Sequence, residues 1–323
     1  MKSVELLVPV TDANFDPAAY LRGNPDVAAA VESAPDPHQA AGEHWDTFGR
    51  TEQRTLTPAD ALDEINEMRR QKVARLRSAI RDDVPFVQRP SGALDFLDGD
   101  RRTAHPGLEP DFVPPISANR YGNQVEELIA STSDGLVLDC GAGYRSTYYE
   151  HVVNLEIEPY PTTDVLARGE RLPFNDGTFD AVLSLAVLEH VAEPWRAAAE
   201  IERVLKPGGT LAFSATFMQP FHAYPHHYFN MTPAGARALL GALQLESQTV
   251  PPNLHPLHGV SRTLQTWLEL LPESDQDDLL DLTVRDLLKP PAELWPRPFM
   301  QHIDADRIDE IAAGTFLVAR KPT

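Results

Sequence analysis

The side chains best suited to acid–base chemistry in this chain are histidines. Three stand together in the segment FMQPFHAYPHHYFNMTP, at His222, His226 and His227, and a fourth, His190, lies upstream in LEHV. Imidazole is the common proton acceptor near neutral pH, so His190, His222 and His227 are the candidates for taking a proton from a substrate hydroxyl. His190 has the alternative of a helix-start or packing residue. Phe221, Tyr224, Tyr228 and Phe229 either wall an acceptor pocket or anchor the loop. No metal is expected, because Cys140 is the sole cysteine and the histidines form no helical HxxxH pair converging with a carboxylate.

A second group could hold a nucleotide-like ligand. Leu136, Val137, Leu138 and Asp139 form a short apolar run ending in an acid, and CGAGYRS follows. Gly141 and Gly143 would let the backbone pass under a ligand with no Cβ in the way. A dinucleotide fingerprint needs a third glycine where Ser146 stands, so tight pyrophosphate docking is not favoured. The run Val152, Val153, Asn154, Leu155 ends in Glu156, a carboxylate placed to accept hydrogen bonds from two ribose hydroxyls or simply to be solvated at a strand end.

These residues need a sheet to position them. Residues 136–139 and 181–185 read as strands buried on both faces, as in a parallel sheet. Pro194 starts a helix turning Ala198, Ile201, Val204 and Leu205 toward that sheet, and Lys206, Pro207, Gly208 and Gly209 end it before a strand over 210–215. The histidine-rich loop follows at the carboxyl edge, where open α/β folds place substrate. Beyond it, AGARALLGAL predicts an outer helix, 264–271 and 279–288 predict amphipathic helices forming a cover or a dimer surface, and 313–319 a closing strand. Upstream, Thr57, Pro58 and Asp60 open a bracing helix of about six or seven turns toward Arg81. Residues 83–115 read as a connector.

The stretch ERLPFNDGTFDAVLSLAVLEHVAEPWRAAAEIERVLKPGG resembles the class I S-adenosylmethionine (SAM) dependent methyltransferase superfamily, above all its ubiquinone-biosynthesis-like branch. Leu172, Pro173, Phe174, Asp176, Phe179, Asp180, Val182, Leu188 to Val191, Glu200 and Arg203 to Gly209 carry the match. The resemblance implies a Rossmann-like α/β fold with a doubly wound, mostly parallel seven-stranded sheet and an antiparallel edge strand, the latter supplied by 313–319. It implies SAM as cofactor, with Gly169, Glu170 and Leu172 on the adenine side and Leu185 beside the methionine part, completing Asp139, Gly141, Gly143 and Glu156. Two departures stand out. Arg168 occupies the place of the usual Asp or Asn at the adenine amino group, and eight residues between Gly143 and Val152 cut the first helix to little more than a turn. The implied reaction is methylation of a hydroxyl on a small molecule or saccharide with histidine assistance. Alternatives are N- or C-methylation of a natural product and a non-catalytic binding role.

Near the N-terminus, Phe15, Asp16, Tyr20, Leu21, Asn24 to Val27, His44, Gly49, Glu52 and Arg54 resemble the helical unit FDxxxYLxxNPDV…HxxxxGxxEgR found beside glycan-modifying or secreted domains, with Gln53 in place of its glycine. The chain thus divides into a helical module over 1–56, a brace and connector over 57–115, and a methyltransferase domain over 116–323 with a helical cover near 255–300. With 28 Lys and Arg against 48 Asp and Glu, a net charge of -20 argues against nucleic acid as partner. The first residues are too short an apolar run for a membrane span, and the single cysteine suits a reducing, cytoplasmic setting.

Overall fold

The computed structural model describes residues 2–97, 120–222 and 226–321. The aromatic candidate Tyr224 and part of the connector, 98–115, lie outside them. Two compact units divide the chain, Met1–Val187 with Glu193–Ser214, and Leu188–Ala192 with Ala215–Thr323.

The first unit opens with strands β1 (Ser3–Glu5) and β2 (Val8–Pro9), then helices α1 (Pro17–Gly23), α2 (Pro25–Val31) and α3 (Pro37–His44), a π-helical turn Trp45–Gly49, and strand β3 (Thr55–Leu56) antiparallel to β2. Each of the three helices starts at a proline, whose missing N–H costs nothing in a first turn. Asp16 and Asp36 cap α1 and α3 by accepting from Ala19 N and from His38 and Gln39 N. Tyr20, Val27, Ala41, Trp45 and Leu56 form a small core, with Phe15 stacked on Trp45. The module's polar motif residues serve this packing: Tyr20 Oη meets His44 Nδ1 at 2.9 Å, and buried Asn24 donates to Tyr20 O and Thr55 O. A Cβ on Gly49 would lie 2.5 Å from Tyr20 Oη, so that position excludes a side chain. Gln53 has φ 53°, the left-handed conformation that explains a glycine in the resembled pattern.

Helix α4 (Ala61–Leu76) follows, then one 3-10 turn at Arg77–Ala79. It is shorter than expected because Asp60, rather than Thr57, stands at its N-cap and Ile80 turns extended to bridge Phe174. Strands β4 (Val87–Gln88) and β5 (Leu94–Asp95), helix α5 (Asn123–Ser131), strands β6 (Val137–Cys140), β7 (Thr147–Tyr149), β8 (Val152–Glu156), β9 (Val165–Leu166) and β10 (Phe179–Leu185), helix α6 (Pro194–Val204) and strand β11 (Leu205–Ser214) complete the unit. Among the described residues, seven strands make one sheet in the order β11-β10-β6-β8-β9-β5-β4, parallel except for the β5/β4 pair. β6 is buried throughout, Asp139 included, as a central strand of a parallel sheet covered on both faces. Leu205 begins β11 instead of ending α6, and the KPGG segment is a bulge between the pairs Phe179/Leu205 and Ala181/Thr210.

Two features depart from expectation. The antiparallel edge strand is β4, from the supposed connector, whereas 313–319 carries no strand and leaves Phe316 91% exposed. Apolar periodicity reports only that this run can extend; pairing is a tertiary event that it does not secure. The short first helix is also absent: 147–149 forms β7, which pairs antiparallel with β1. Its Thr-Tyr-Tyr composition suits a strand, and Tyr148 is fully buried.

Beneath the sheet, α4 is fastened by charges inside the core. Lys72 Nζ lies 2.7 Å from Asp164 Oδ2 and donates to Val152 O at 2.5 Å, while Arg69 Nε lies 3.4 Å from Asp164 Oδ1. Tyr148 Oη and the Asn154 backbone N–H also donate to Asp164. All these side chains are buried, and burial pushes the Lys72 ammonium down to about 8 despite Asp164.

The second unit contains helices α7 (Pro233–Leu239), α8 (Pro256–Glu269), α9 (Glu273–Leu280), α10 (Val284–Leu287), α11 (Pro291–Leu294) and α12 (Pro298–Gln301). α7, capped by Thr232, buries none of its residues, and the core is Leu271, Leu279 and Phe299 with Trp267 against them. No described helix is long and apolar enough to cross a membrane.

Candidate functional site

The parallel register sets Asp139 beside Asn154 and Cys140 beside Leu155, so the carboxyl ends of β6 and β8 bring Asp139 and Glu156 to one edge of the sheet. Asp139 is fully buried. Its Oδ2 accepts from Tyr121 Oη at 2.6 Å and Arg145 Nε at 2.8 Å, and the Arg145 guanidinium lies 4.3 Å from the Tyr121 ring centroid. Burial opposes the Arg145 charge, but Asp139 outweighs it and holds the guanidinium firmly protonated. Burial, reinforced by Asp139, raises the Tyr121 phenol well above its ordinary value. The other oxygen, Asp139 Oδ1, has no hydrogen-bond partner among the described residues. An orphaned buried acceptor costs about 1–3 kcal/mol, which a cationic donor at this edge would recover.

Glu156 is held by backbone amides, Gly143 N to Oε1 at 2.7 Å and Ile157 N to Oε2 at 2.8 Å. Burial raises its carboxyl pKa, and the two amides pull the other way. Each oxygen keeps a lone pair for a further donor. Gly141 and Gly143 both have positive φ, 82° and 63°. The room left by Gly141 is filled by the chain, however, since a Cβ there would lie 2.5 Å from Val187 Cγ1. The glycine therefore makes room for Val187.

Gly169 and Glu170 lie in the turn after β9, and Leu185 ends β10 half-buried. Leu172 is fully buried, with its amide donating to Glu200 Oε2 at 2.7 Å. Arg203 explains the spacing of the downstream motif: it donates to Glu200, Phe174 O, Asp176 and Leu172 O. Asp180 accepts from Leu136 N at 2.9 Å and from Lys206 Nζ at 2.8 Å. The acids and bases of LPFND, FD and ExxRVLK therefore fasten the segments around the sheet to one another. Tyr121 and Arg145 escaped the sequence reading; the one available signal was a cation lodged in the shortened glycine loop.

The histidines belong to the second unit. His190 ends a 3-10 turn, Leu188–His190, and its ring centroid lies 5.0 Å from that of His222 and 5.6 Å from that of His227; His222 and His227 are 4.2 Å apart. All three candidates thus converge. His190 Nδ1 faces the His226 carbonyl at 2.7 Å and His222 Nδ1 the Pro220 carbonyl at 3.0 Å. A carbonyl only accepts, so both neutral rings carry the proton on Nδ1 and the lone pair on Nε2. His227 is the opposite tautomer: its Nδ1 accepts from His222 N at 3.2 Å, leaving Nε2–H for Asn230 Oδ1 at 3.2 Å. Burial, with smaller contributions from the neighbouring histidines, depresses the His190 imidazolium to about 4. Burial lowers His227 as well.

Residues 136–213 match a family described as a methyltransferase domain. An uncharacterized methyltransferase of Mycolicibacterium gilvum is 39% identical over 110 residues, covering 28% of this chain and 43% of that protein. Another, from Mycobacterium tuberculosis, is 36% identical over 107 residues, covering 31% and 42%. The chain spans less than half the length of these curated relatives. Solved structures with similarity include a SAM-dependent methyltransferase of Thermotoga maritima described as a possible histamine N-methyltransferase, 17% identical over 37% of this chain and 75% of that one, with a TM-score of 0.27. A putative methyltransferase of Bacillus halodurans is 16% identical over 54% and 89%, with a TM-score of 0.31. Residues 136–213, which hold Asp139 and Glu156 at the ends of adjacent parallel strands, thus match a methyltransferase domain.

Proposed function

We propose that the protein transfers a methyl group from SAM to a hydroxyl of a small molecule or saccharide. The observation that carries this reading is the pair Asp139 and Glu156 at the ends of adjacent parallel strands inside the matched segment, one with an orphaned buried oxygen and the other with lone pairs to spare. Asp139 Oδ1 is suited to the ammonium of the methionine moiety and Glu156 to the ribose diol. Gly169 and Glu170 are the adenine-side candidates, and the fully buried Leu172 would support them from beneath.

The reaction is an in-line displacement. The carbon–sulfur bond of the sulfonium breaks, the oxygen–methyl bond forms, the sulfur keeps the bonding pair as a neutral thioether, and the hydroxyl proton leaves. Alignment alone supplies about 7 kcal/mol or more of barrier reduction, so the chain's main task is positioning. His222 is the best proton acceptor of the three histidines, because its Nε2 lone pair is unengaged among the described residues. His190 is a weak base at about 4, and His227 uses both ring nitrogens. The resemblance of residues 15–54 to units beside glycan-modifying domains favours a saccharide acceptor.

A second reading, a binding protein that keeps the fold, is supported by Arg145 and Val187 filling space beside Asp139 and Gly141. A screen with isotopically labelled methyl donor against fractionated cell extract separates the two. Labelled product is expected; folded protein that binds SAM yet labels nothing would favour the second.

A further inference from the structure

In the second unit, the histidine pair has a third member that the sequence reading passed over. Glu189 is fully buried, and neither carboxylate oxygen has a hydrogen-bond partner of normal geometry among the described residues. Burial raises its carboxyl pKa, with the Glu189 and Thr216 backbone and the Thr216 hydroxyl only partly offsetting this. One ligand atom from each of Glu189, His190 and His222 lies within 4.8 Å of the others. We propose that Glu189, His190 and His222 bind a divalent transition-metal ion of the zinc class.

The donor set is built for a cation in three respects. The Nδ1–H groups of His190 and His222 are tied to backbone carbonyls, the arrangement that fixes the tautomer of metal-ligating histidines and leaves the Nε2 lone pair available to an ion. An unpaired buried carboxylate is costly unless a positive charge joins it. Two imidazoles with one carboxylate also select a borderline transition ion over magnesium or calcium, which prefer oxygen throughout. His227 is excluded, since both its nitrogens are engaged.

A tetrahedral zinc ion with ligands at about 2.1 Å keeps them about 3.4 Å apart, so closing the group takes shifts on the order of 1 Å. His222, half-buried on its loop, can supply them. Three protein ligands leave a coordination position open, as catalytic rather than structural zinc sites do. With an ion bound, the His222 Nε2 lone pair is committed to it and the residue is no longer a base; the ion site itself does not depend on the proposed methyl transfer. The sequence disfavoured a metal because no helical HxxxH pair was present. Here a loop and a 3-10 turn supply the convergence that a helix would.

The test uses the full chain, freed of metal by chelator, titrated with Zn²⁺ alone by calorimetry and with Co²⁺ followed by its visible absorption. One ion per chain is expected. Glu189→Gln and His222→Ala should each weaken binding by about tenfold or more, while His227→Ala leaves it nearly unchanged. Zn²⁺ should raise the melting temperature of the wild type and not of Glu189→Gln, a readout that survives if His222→Ala folds poorly. No saturable binding, or binding that persists in both ligand variants, would overturn the proposal. S-adenosylhomocysteine titrated into the same metal-free protein reports separately on the cofactor site.

Discussion

Two fully buried carboxylates, one in each unit, are treated in opposite ways. In the first, Asp164 is buried with Lys72, Arg69, Tyr148 and the Asn154 backbone N–H around it, so its charge is matched from several elements at once. In the second, Glu189 is equally buried and has no such company among the described residues. A matched interior charge fastens a fold, whereas an unmatched one marks a place where the fold awaits something from outside. Asp139 lies between these cases, with one oxygen paired to Arg145 and Tyr121 and the other orphaned.

Removing the matched charge should have the largest effect. Asp164→Ala leaves Lys72 and Arg69 buried without their counter-charge and should destabilise the protein by about 3–5 kcal/mol in urea unfolding; a change below 1 kcal/mol would dissolve the contrast. Arg203→Met cuts the ties to Glu200, Asp176, Leu172 and Phe174 and should cost about 2 kcal/mol by the same measurement.

Lys72 sharpens the comparison through pH. Its ammonium is depressed to about 8 from 10.5 in the unfolded chain, so the unfolded state binds more protons between those values. Its contribution is therefore fully present above 10.5 and is lost as pH falls through 8. Wild-type stability relative to Lys72→Met should rise by up to about 1.4 kcal/mol per pH unit between pH 8 and 10, and a flat difference would show Lys72 unperturbed. Tyr148, also pushed upward by burial, works in the opposite sense above pH 10. Glu189→Met should have the smallest effect in metal-free protein, neutral or stabilising by about 1 kcal/mol, since it removes an unmatched carboxylate. A loss comparable to that of Asp164→Ala would contradict the assignment of Glu189 as unmatched.

How much of this was readable in advance follows from where the interactions lie. Strands 137–140, 152–156 and 179–185 and the helix from Pro194 announced themselves because each is a continuous apolar or periodic segment. The motif LPFND…ExxRVLK was visible as a pattern, but its reason, Arg203 reaching four partners, is a tertiary fact. The antiparallel edge was misplaced because pairing of 87–88 with 94–95 depends on a short turn inside a segment that looked like a connector. The histidine-rich loop is legible in the sequence, but its convergence on His190 is a tertiary fact, and the tautomers that distinguish His190, His222 and His227 depend on the carbonyls of Pro220 and His226 and the amide of His222. Glu189 was hidden in LEHV, where a neighbouring histidine drew attention and burial could not be read.

The central claim is that the strand-end acids of the first unit hold SAM. Titration of S-adenosylhomocysteine into the full-length protein by calorimetry tests it most directly, with Glu156→Gln as the comparison because it keeps the side chain's size and one acceptor oxygen. Saturable binding of one molecule per chain, weakened about tenfold in Glu156→Gln through loss of a charge-assisted hydrogen bond to the ribose, is the expected result. Folded wild-type protein that gives no binding heat across a range of temperatures, or a Glu156→Gln variant that binds as tightly as the wild type, would contradict it.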